Sequence, residues 1–164
     1  MLANFYTCSL HTPIGYLNIT TTDTHLVSCL FSDVPYPTTP EQPIVLQQTI
    51  AQLSEYFTGK RQQFDLPLQP KGTDFQQKVW AQLSSIPFGK TCSYLDVAKA
   101  VSGEKAIRAV GAANGKNPIC LIVPCHRVIG SDGSLTGYAG ELWRKEWLLQ
   151  HEGVRQPVRQ LALF

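Results

Sequence analysis

The chain has 164 residues, 43% of them hydrophobic and 16% charged, a composition that fits one medium globular domain or two small ones and excludes a disordered chain. No apolar run approaches the ~18 residues of a membrane span, and Met1-Leu-Ala-Asn4 lacks the basic and apolar regions of a secretory signal. Net charge is +2 but uneven: residues 1–89 hold four Lys/Arg and six Asp/Glu, residues 90–164 ten and six, so the C-terminal half suits either a polyanion partner or a plain solvated surface.

The first third reads as β-structure. Phe5–Leu10 is a strand candidate, Thr12-Pro-Ile-Gly15 a turn, Tyr16–Thr20 an alternating second strand and His25–Phe31 a third. Four prolines between Pro35 and Pro43 require a loop. Leu46, Ile50, Leu53 and Phe57 then recur on one helical face, which Gly59 stops. Leu66-Pro-Leu-Gln-Pro-Lys-Gly72 reads as a linker, dividing the chain into residues 1–70 and 71–164.

Beyond the linker the pattern is helical. Thr73-Asp-Phe-Gln76 is a capping box opening a helix with Phe75, Val79 and Leu83 on one face, and Ile86-Pro-Phe-Gly89 breaks it. Ser93-Tyr-Leu-Asp96 is a second capping box, for a helix through Val101. Ser102-Gly103 is a tight turn, and the next helix spans Glu104 to Ala113, so the pair is a helix-turn-helix candidate. In that second helix Arg108 stands alone among Ala106, Ala109, Gly111, Ala112 and Ala113. Such small side chains permit close approach, either to a packed core or to a nucleic-acid groove. A last helix runs from about Glu141 to His151, with Gly153 at its stop.

Five scattered cysteines, Cys8, Cys29, Cys92, Cys120 and Cys125, form no C-x-x-C pair and read as reduced and intracellular. Cys125 sits between Pro124 and His126, after a strand-like apolar run from Leu121. It is either a core cysteine beside an incidental histidine or a nucleophile beside its base. Adjacent residues of an extended segment point to opposite sides, so a direct Cys125–His126 pair needs a water bridge or a bend at Pro124. A histidine acting as base needs an orienting group. Glu152 is the downstream candidate, and a surface carboxylate at a helix end is its plain alternative.

These residues carry a resemblance. Pro124-Cys-His-Arg-Val128, with Ser93-Tyr94, Ala106-Ile-Arg-Ala-Val-Gly111, Asn117-Pro118, Thr136-Gly-Tyr-Ala-Gly140 and Lys145-Glu-Trp-Leu-Leu-Gln-His-Glu-Gly153, resembles the 6-O-methylguanine-DNA methyltransferases. The likeness covers residues 73–153 strongly and the N-terminal part loosely, and is greatest to the bacterial stand-alone type. It implies a ribonuclease-H-like α/β N-terminal domain and a mostly α C-terminal domain with a helix-turn-helix. It also implies irreversible, single-use transfer of an alkyl group from the 6-oxygen of guanine in duplex DNA to Cys125, with the 4-oxygen of thymine a second candidate. No cofactor and no metal are implied, and the expected protein is a cytoplasmic monomer.

By the same resemblance His126 takes the Cys125 proton through a water, Glu152 holds the imidazole, and Asn117 ties the active-site turn to the helix bearing Arg108. Tyr94 donates to the edge of the base, the backbone near Ala139 donates to its oxygen, and the Cys125 and Val128 carbonyls accept from the exocyclic amine. Tyr138 lines the pocket. Arg108 fills the space of the flipped base, while Ala106, Ala109, Gly111 and Ala112 let the helix lie in the minor groove.

Two features depart from the family. Cys8, His11, His25 and Cys29 could form a two-Cys, two-His set, but they do not match the family's zinc pattern, and alternation within strands accounts for them. Cys120 stands where a proline is common, which leaves tolerance of bulky alkyl groups open. Three rival functions remain: a lesion-binding protein without transfer, which the presence of Cys125 opposes; a cysteine hydrolase, which would turn over; and a sequence-reading regulator, for which the Ala-rich helix has few suitable side chains.

Overall fold

The structure, a computed structural model, describes residues 4–154. Met1, at the start of the expected non-signal segment, and Arg155 and Arg159, two of the C-terminal cations, lie outside the described residues.

Strands β1 (Tyr6–Thr12), β2 (Gly15–Thr21) and β3 (Leu26–Ser32) form an antiparallel meander in the order β1-β2-β3. Thr12 pairs with Gly15 across the first turn, and Gly15 has φ +101°, where a glycine costs least. A Cβ there would lie 2.7 Å from Nη2 of Arg144, so the residue is needed for close approach as well. Ile19 pairs with both Cys8 and Cys29, and Leu17 with Leu10 and Phe31. This alternation buries Leu17, Ile19, Leu26 and Cys29 on one face. The proline-rich segment is a loop lashed to β1, with the Thr39 amide donating to the Thr7 carbonyl at 3.0 Å.

Helix α1 (Ile44–Phe57) packs on the sheet through Val45, Leu46, Thr49, Leu53 and Tyr56. Each fully buried leucine there contributes about 1.5–3 kcal/mol relative to exposure. Of the expected face, Leu46 and Leu53 are buried while Ile50 and Phe57 are half-buried. The buried stripe is therefore rotated toward Tyr56.

The C-terminal part is helical. Both capping boxes form: Thr73 caps α2 (Asp74–Leu83) and Ser93 caps α3 (Tyr94–Val101), each with the reciprocal bond from its third helical residue. After the turn at Gly103 the chain makes a short 3₁₀ turn, Glu104–Ala106, before α4 (Ile107–Gly115). The regular helix thus starts three residues later and ends two residues later than the sequence pattern suggested. Trp80 of α2 donates from Nε1 to the Ala113 carbonyl at 2.9 Å, fixing α4 against α2. Helix α5 (Leu142–His151) is the last helix among the described residues, and Gly153 takes φ +80° just past it. Two short strands, β4 (Cys92–Ser93) and β5 (Val128–Ile129), pair in parallel.

The two parts meet along β3. Leu68 and Ile119 each form a bridge on that strand, to Leu26 and Cys29. The Cys29 amide donates to the Pro118 carbonyl and the Cys120 amide to the Cys29 carbonyl, both at 2.8 Å. Leu17, Leu53, Val79, Val110 and Leu148 belong to one hydrophobic core, so the sheet part and the helical part share it. No helix among the described residues is long and apolar enough to cross a membrane.

One expectation fails here. The run Leu121–Val123 is not a strand. Leu121 has φ +74°, the Val123 amide donates back to the Ile119 carbonyl at 3.0 Å, and the segment is a tight turn. An extended path is unavailable because the chain must leave the β3 edge at Cys120 and reverse toward Cys125.

Candidate active site

Cys125, His126 and Arg127 occupy a single 3₁₀ turn, entered through Pro124. In such a turn successive side chains are about 120° apart rather than on opposite faces. The extended geometry that separated Cys125 from His126 is therefore replaced by the bend at Pro124. Asn117 holds the turn: its Nδ2 donates to the Val123 carbonyl at 2.8 Å and its Oδ1 accepts from the Ile119 amide at 3.0 Å. Asn117 lies two residues beyond α4, and Asn114, in α4, donates from Nδ2 to the Cys125 carbonyl at 3.4 Å. The turn and the helix bearing Arg108 are thus joined by two asparagines, of which the sequence pattern singled out one.

Glu152 is not a surface carboxylate. It is 5% exposed, and its carboxylate collects donors from four places. His126 donates from Nε2 to Oε2 at 2.8 Å, and Tyr56 donates its hydroxyl to the same oxygen at 2.6 Å. Arg127 spans both oxygens, Nε to Oε1 at 2.8 Å and Nη2 to Oε2 at 3.1 Å, while the Gly89 amide lies 3.5 Å from Oε1. Burial alone would raise the Glu152 carboxyl, but the hydrogen bond from His126 and the hydrogen bonds and charge of Arg127 outweigh it and hold the group well below the usual carboxylate range. Arg127 is itself buried and donates Nη1 to the Ile86 carbonyl at 2.7 Å.

This arrangement fixes the imidazole. A carboxylate only accepts, so His126 carries its proton on Nε2 and presents Nδ1 as a lone pair. Nδ1 makes no hydrogen bond to a described residue. Burial lowers the His126 pKa, with the Glu152 hydrogen bond opposing, so the ring is neutral and basic near pH 7. Cys125 is 1% exposed. Its pKa is lowered, first by a hydrogen bond from the Cys120 thiol; burial opposes, and Asn117 and the Lys145 ammonium assist. Of the chain's cysteines it is the one in the donor-rich turn.

A second group of candidates gathers at the surface. An open depression of about 510 Å³ is lined by Tyr94, Arg108, Gly111, Thr136, Tyr138 and Ala139 among others. Arg108 is exposed on α4, as are Ala109 and Ala112, with Ala106 and Gly111 half-exposed, whereas Ala113 turns into the core. The cation therefore stands on a smooth outward face. Cys125 and Val128 are buried rather than lining this depression. The Tyr94 hydroxyl donates to the Thr136 carbonyl at 3.0 Å, and Lys145 donates to the Tyr94 oxygen at 3.4 Å with its ammonium 5.7 Å from the ring centroid. Tyr138 is 8% exposed, its hydroxyl unbonded to any described residue.

Two family models match the chain: 6-O-methylguanine DNA methyltransferase, DNA binding domain, over residues 74–154, and 6-O-methylguanine DNA methyltransferase, ribonuclease-like domain, over residues 4–70. A methylated-DNA–protein-cysteine methyltransferase of Mycolicibacterium paratuberculosis is 41% identical over 160 residues, covering 95% of this chain and 96% of the relative. The chain belongs to this family. Its two-part fold is also the family's: a crystal structure of Mycobacterium tuberculosis O6-methylguanine methyltransferase superposes with TM-score 0.83 at 41% identity, covering 95% of this chain and 97% of that one. The same Mycobacterium tuberculosis protein in complex with DNA matches with TM-score 0.80, covering 91% and 93%.

Within this family frame, three residues of the site besides Asn114 escaped the sequence pattern. Arg127 lies inside the quoted motif but carried no role there. Lys145 also lay in a motif without a role. Tyr56 had no local signal, because its partner is 96 positions away. The suggested Cys8, His11, His25 and Cys29 set is not brought together; no group of three or more His, Cys, Asp or Glu converges on a metal site among the described residues.

Proposed function

We propose that this protein repairs DNA by direct reversal, as a single-turnover methyltransferase that moves a methyl or larger alkyl group from the 6-oxygen of guanine in duplex DNA to the sulfur of Cys125. The observation that carries this reading is the buried His126–Glu152 pair, at 2.8 Å, in the same turn as the buried Cys125. The family membership and the DNA complex of a relative support it. The alkylated 4-oxygen of thymine is a second candidate donor of the alkyl group to the same thiolate.

The chemistry follows from the residues. A water carries the Cys125 proton to Nδ1 of His126, and the imidazolium that forms is stabilised by Glu152. The thiolate attacks the alkyl carbon. The S–C bond forms as the C–O bond breaks, and the electron pair stays on the purine. The Tyr94 hydroxyl, leaving the Thr136 carbonyl, donates to the edge of the base, with the Lys145 ammonium favouring the phenolate. The amide near Ala139 donates to the oxygen, the Cys125 and Val128 carbonyls accept from the exocyclic amine, and Tyr138 walls the pocket. A thioether is not hydrolysed by water, so the protein acts once.

DNA binds on the α3–α4 face, which serves as a helix-turn-helix. Arg108 enters the stack in place of the flipped base, and Ala106, Ala109, Gly111 and Ala112 allow α4 into the minor groove. We assign residues 1–70 to a ribonuclease-H-like domain without its catalysis and residues 71–164 to the reacting domain. The protein works as a monomer in the cytoplasm.

The test is Cys125→Ser with methylated duplex DNA. Undiminished DNA binding with no methyl accepted is the expected result. Methyl transfer by this variant would overturn the assignment, and a wild-type protein that binds methylated duplex without accepting a methyl group would favour a lesion-binding protein instead.

A further inference from the structure

Arg144 stands in the first turn of α5 and has no part in the site described above. It is 2% exposed. A guanidinium taken out of water persists only where its donors are engaged. Here they reach into both halves of the chain. On the sheet side, Nε donates to the Ile14 carbonyl in the β1–β2 turn at 2.6 Å, and Nη2 donates to Oδ1 of Asp33, just past β3, at 2.8 Å. On the helical side, Nη1 donates to the Gly140 carbonyl at 3.3 Å and lies 3.5 Å from Oε2 of Glu141. The central carbon of the group is 5.5 Å from the centroid of the Phe31 ring and 4.6 Å from that of Trp143.

Resting on the alkyl-transfer reading of the site, we propose that Arg144 is a positioning residue for the base: it ties the end of the loop Thr136–Gly140, which presents Tyr138 and Ala139 to the substrate, to the N-terminal sheet.

The loop has two ends, and consecutive residues of α5 hold them. Lys145 donates to the Thr136 carbonyl at 3.0 Å, and Arg144 takes the Gly140 carbonyl. Between these ends Tyr138 and Ala139 line the depression beside Arg108. The joint after the loop is strained. Glu141 has φ +76°, a left-handed conformation that favours glycine, and its amide donates to the Tyr138 carbonyl at 2.9 Å. Such a conformation persists only where neighbouring structure over-determines it. Arg144 grips the carbonyl just before that joint and the side chain at it.

Packing carries the same link. A Cβ on Gly140 would lie 2.7 Å from the Tyr138 ring and 3.0 Å from the Phe31 ring, so strand β3, the end of the loop and Tyr138 are in close contact. Phe31 also flanks the guanidinium. A shift of Arg144 is therefore passed to Tyr138 through Gly140. Lysine is no substitute, because a single ammonium cannot span Ile14, Asp33 and Gly140 as a planar fork does. The sheet thereby shares in the reaction, although none of its described residues lines the depression.

The experiment has two arms. Single-turnover methyl transfer from duplex DNA carrying methylated guanine separates the rate constant at saturating DNA, the half-saturating concentration and the reactive fraction. Chymotrypsin cleavage without DNA is read after Tyr138 and, for global opening, after the fully buried Tyr56. The series is wild type, Arg144→Met, Arg144→Lys and Asp33→Ala. Arg144→Met is expected to lower the rate constant about tenfold or more, the effect of one charge-assisted hydrogen bond lost from the loop, with the half-saturating concentration within about twofold of wild type. Arg144→Lys should recover only part of the rate. Asp33→Ala, at a carboxylate that is 80% exposed, should show a smaller loss in the same direction. Cleavage after Tyr138 should rise relative to cleavage after Tyr56 in each variant. An unchanged rate constant with only a smaller reactive fraction, or cleavage at the two tyrosines rising in step, would overturn the proposal and leave Arg144 a role in stability alone. Asp33→Ala carries the test if the Arg144 variants fail to fold, and an unchanged rate with unchanged cleavage after Tyr138 then counts against the tether. Because cleavage needs no DNA, a Tyr138 site opened by these variants in a protein that accepts no methyl group would support the tether and count against alkyl transfer.

Discussion

Glu152→Gln removes the charge on which the buried network depends. The amide keeps the shape but has one acceptor oxygen where the carboxylate has two. Its NH₂ then faces a donor, either Tyr56, His126 or Arg127, all within 3.1 Å of the carboxylate oxygens. Arg127, 6% exposed, is left as a buried cation without its anion. Breaking a buried pair from one side costs about 3–5 kcal/mol. For a domain of this size each kcal/mol lowers Tm by roughly 2–4 °C, so the expected fall is about 6–20 °C at pH 7. The pH dependence has a definite sign. The folded Glu152 carboxyl is held below its unfolded value of about 4.3, so its contribution is complete above that pH and is lost as pH falls through the folded value. Calorimetric unfolding of wild type and variant from pH 7 to pH 3 should show a gap that is constant at neutral pH and narrows below about pH 4. A gap under about 1 °C at pH 7, or one that widens in acid, would refute this reading of the site.

Tyr56→Phe removes one charge-assisted donor from the same carboxylate and leaves no polar atom stranded, so thermal unfolding should report a loss of about 1.5–3 kcal/mol. Gly15→Ala forces a Cβ at φ +101° to within 2.7 Å of Arg144, and denaturant unfolding should show at least ~1 kcal/mol of destabilisation. Arg108→Ala should slow repair of duplex DNA far more than reaction with the free alkylated base; equal losses on both substrates would rule out a role in base extrusion. Tyr94→Phe should lower the transfer rate by about 10²–10³ while keeping most DNA affinity, as measured by single-turnover kinetics and a binding titration.

Local signals were the legible ones. Thr73-x-x-Gln76 and Ser93-x-x-Asp96 cap their helices as written because a capping box is satisfied within four residues. Strand alternation likewise marked the meander. The turn at Leu121–Val123 misread as a strand because an apolar run looks alike in either conformation. What decides it is non-local: Cys29 and Asn117 anchor its ends and force a reversal. The same limit hid Tyr56, whose hydroxyl reaches the site from the N-terminal helix, and it hid the burial of Glu152. A carboxylate at a helix end reads as solvated unless the donors that surround it are known, and these come from α1, the Gly89 turn and the 3₁₀ turn at Cys125. The family resemblance brought Cys125, His126 and Glu152 together, but the network that neutralises Glu152 exists only in three dimensions.

The most direct test of the central claim is the mass of the intact protein after exposure to excess duplex DNA carrying methylated guanine, followed by peptide mapping. Alkyl transfer to Cys125 requires the gain of one methyl group per molecule and no more, carried by the peptide holding Cys125, with Cys8, Cys29, Cys92 and Cys120 unmodified. Continued turnover, an unchanged mass, or a methyl group on any other cysteine would contradict it.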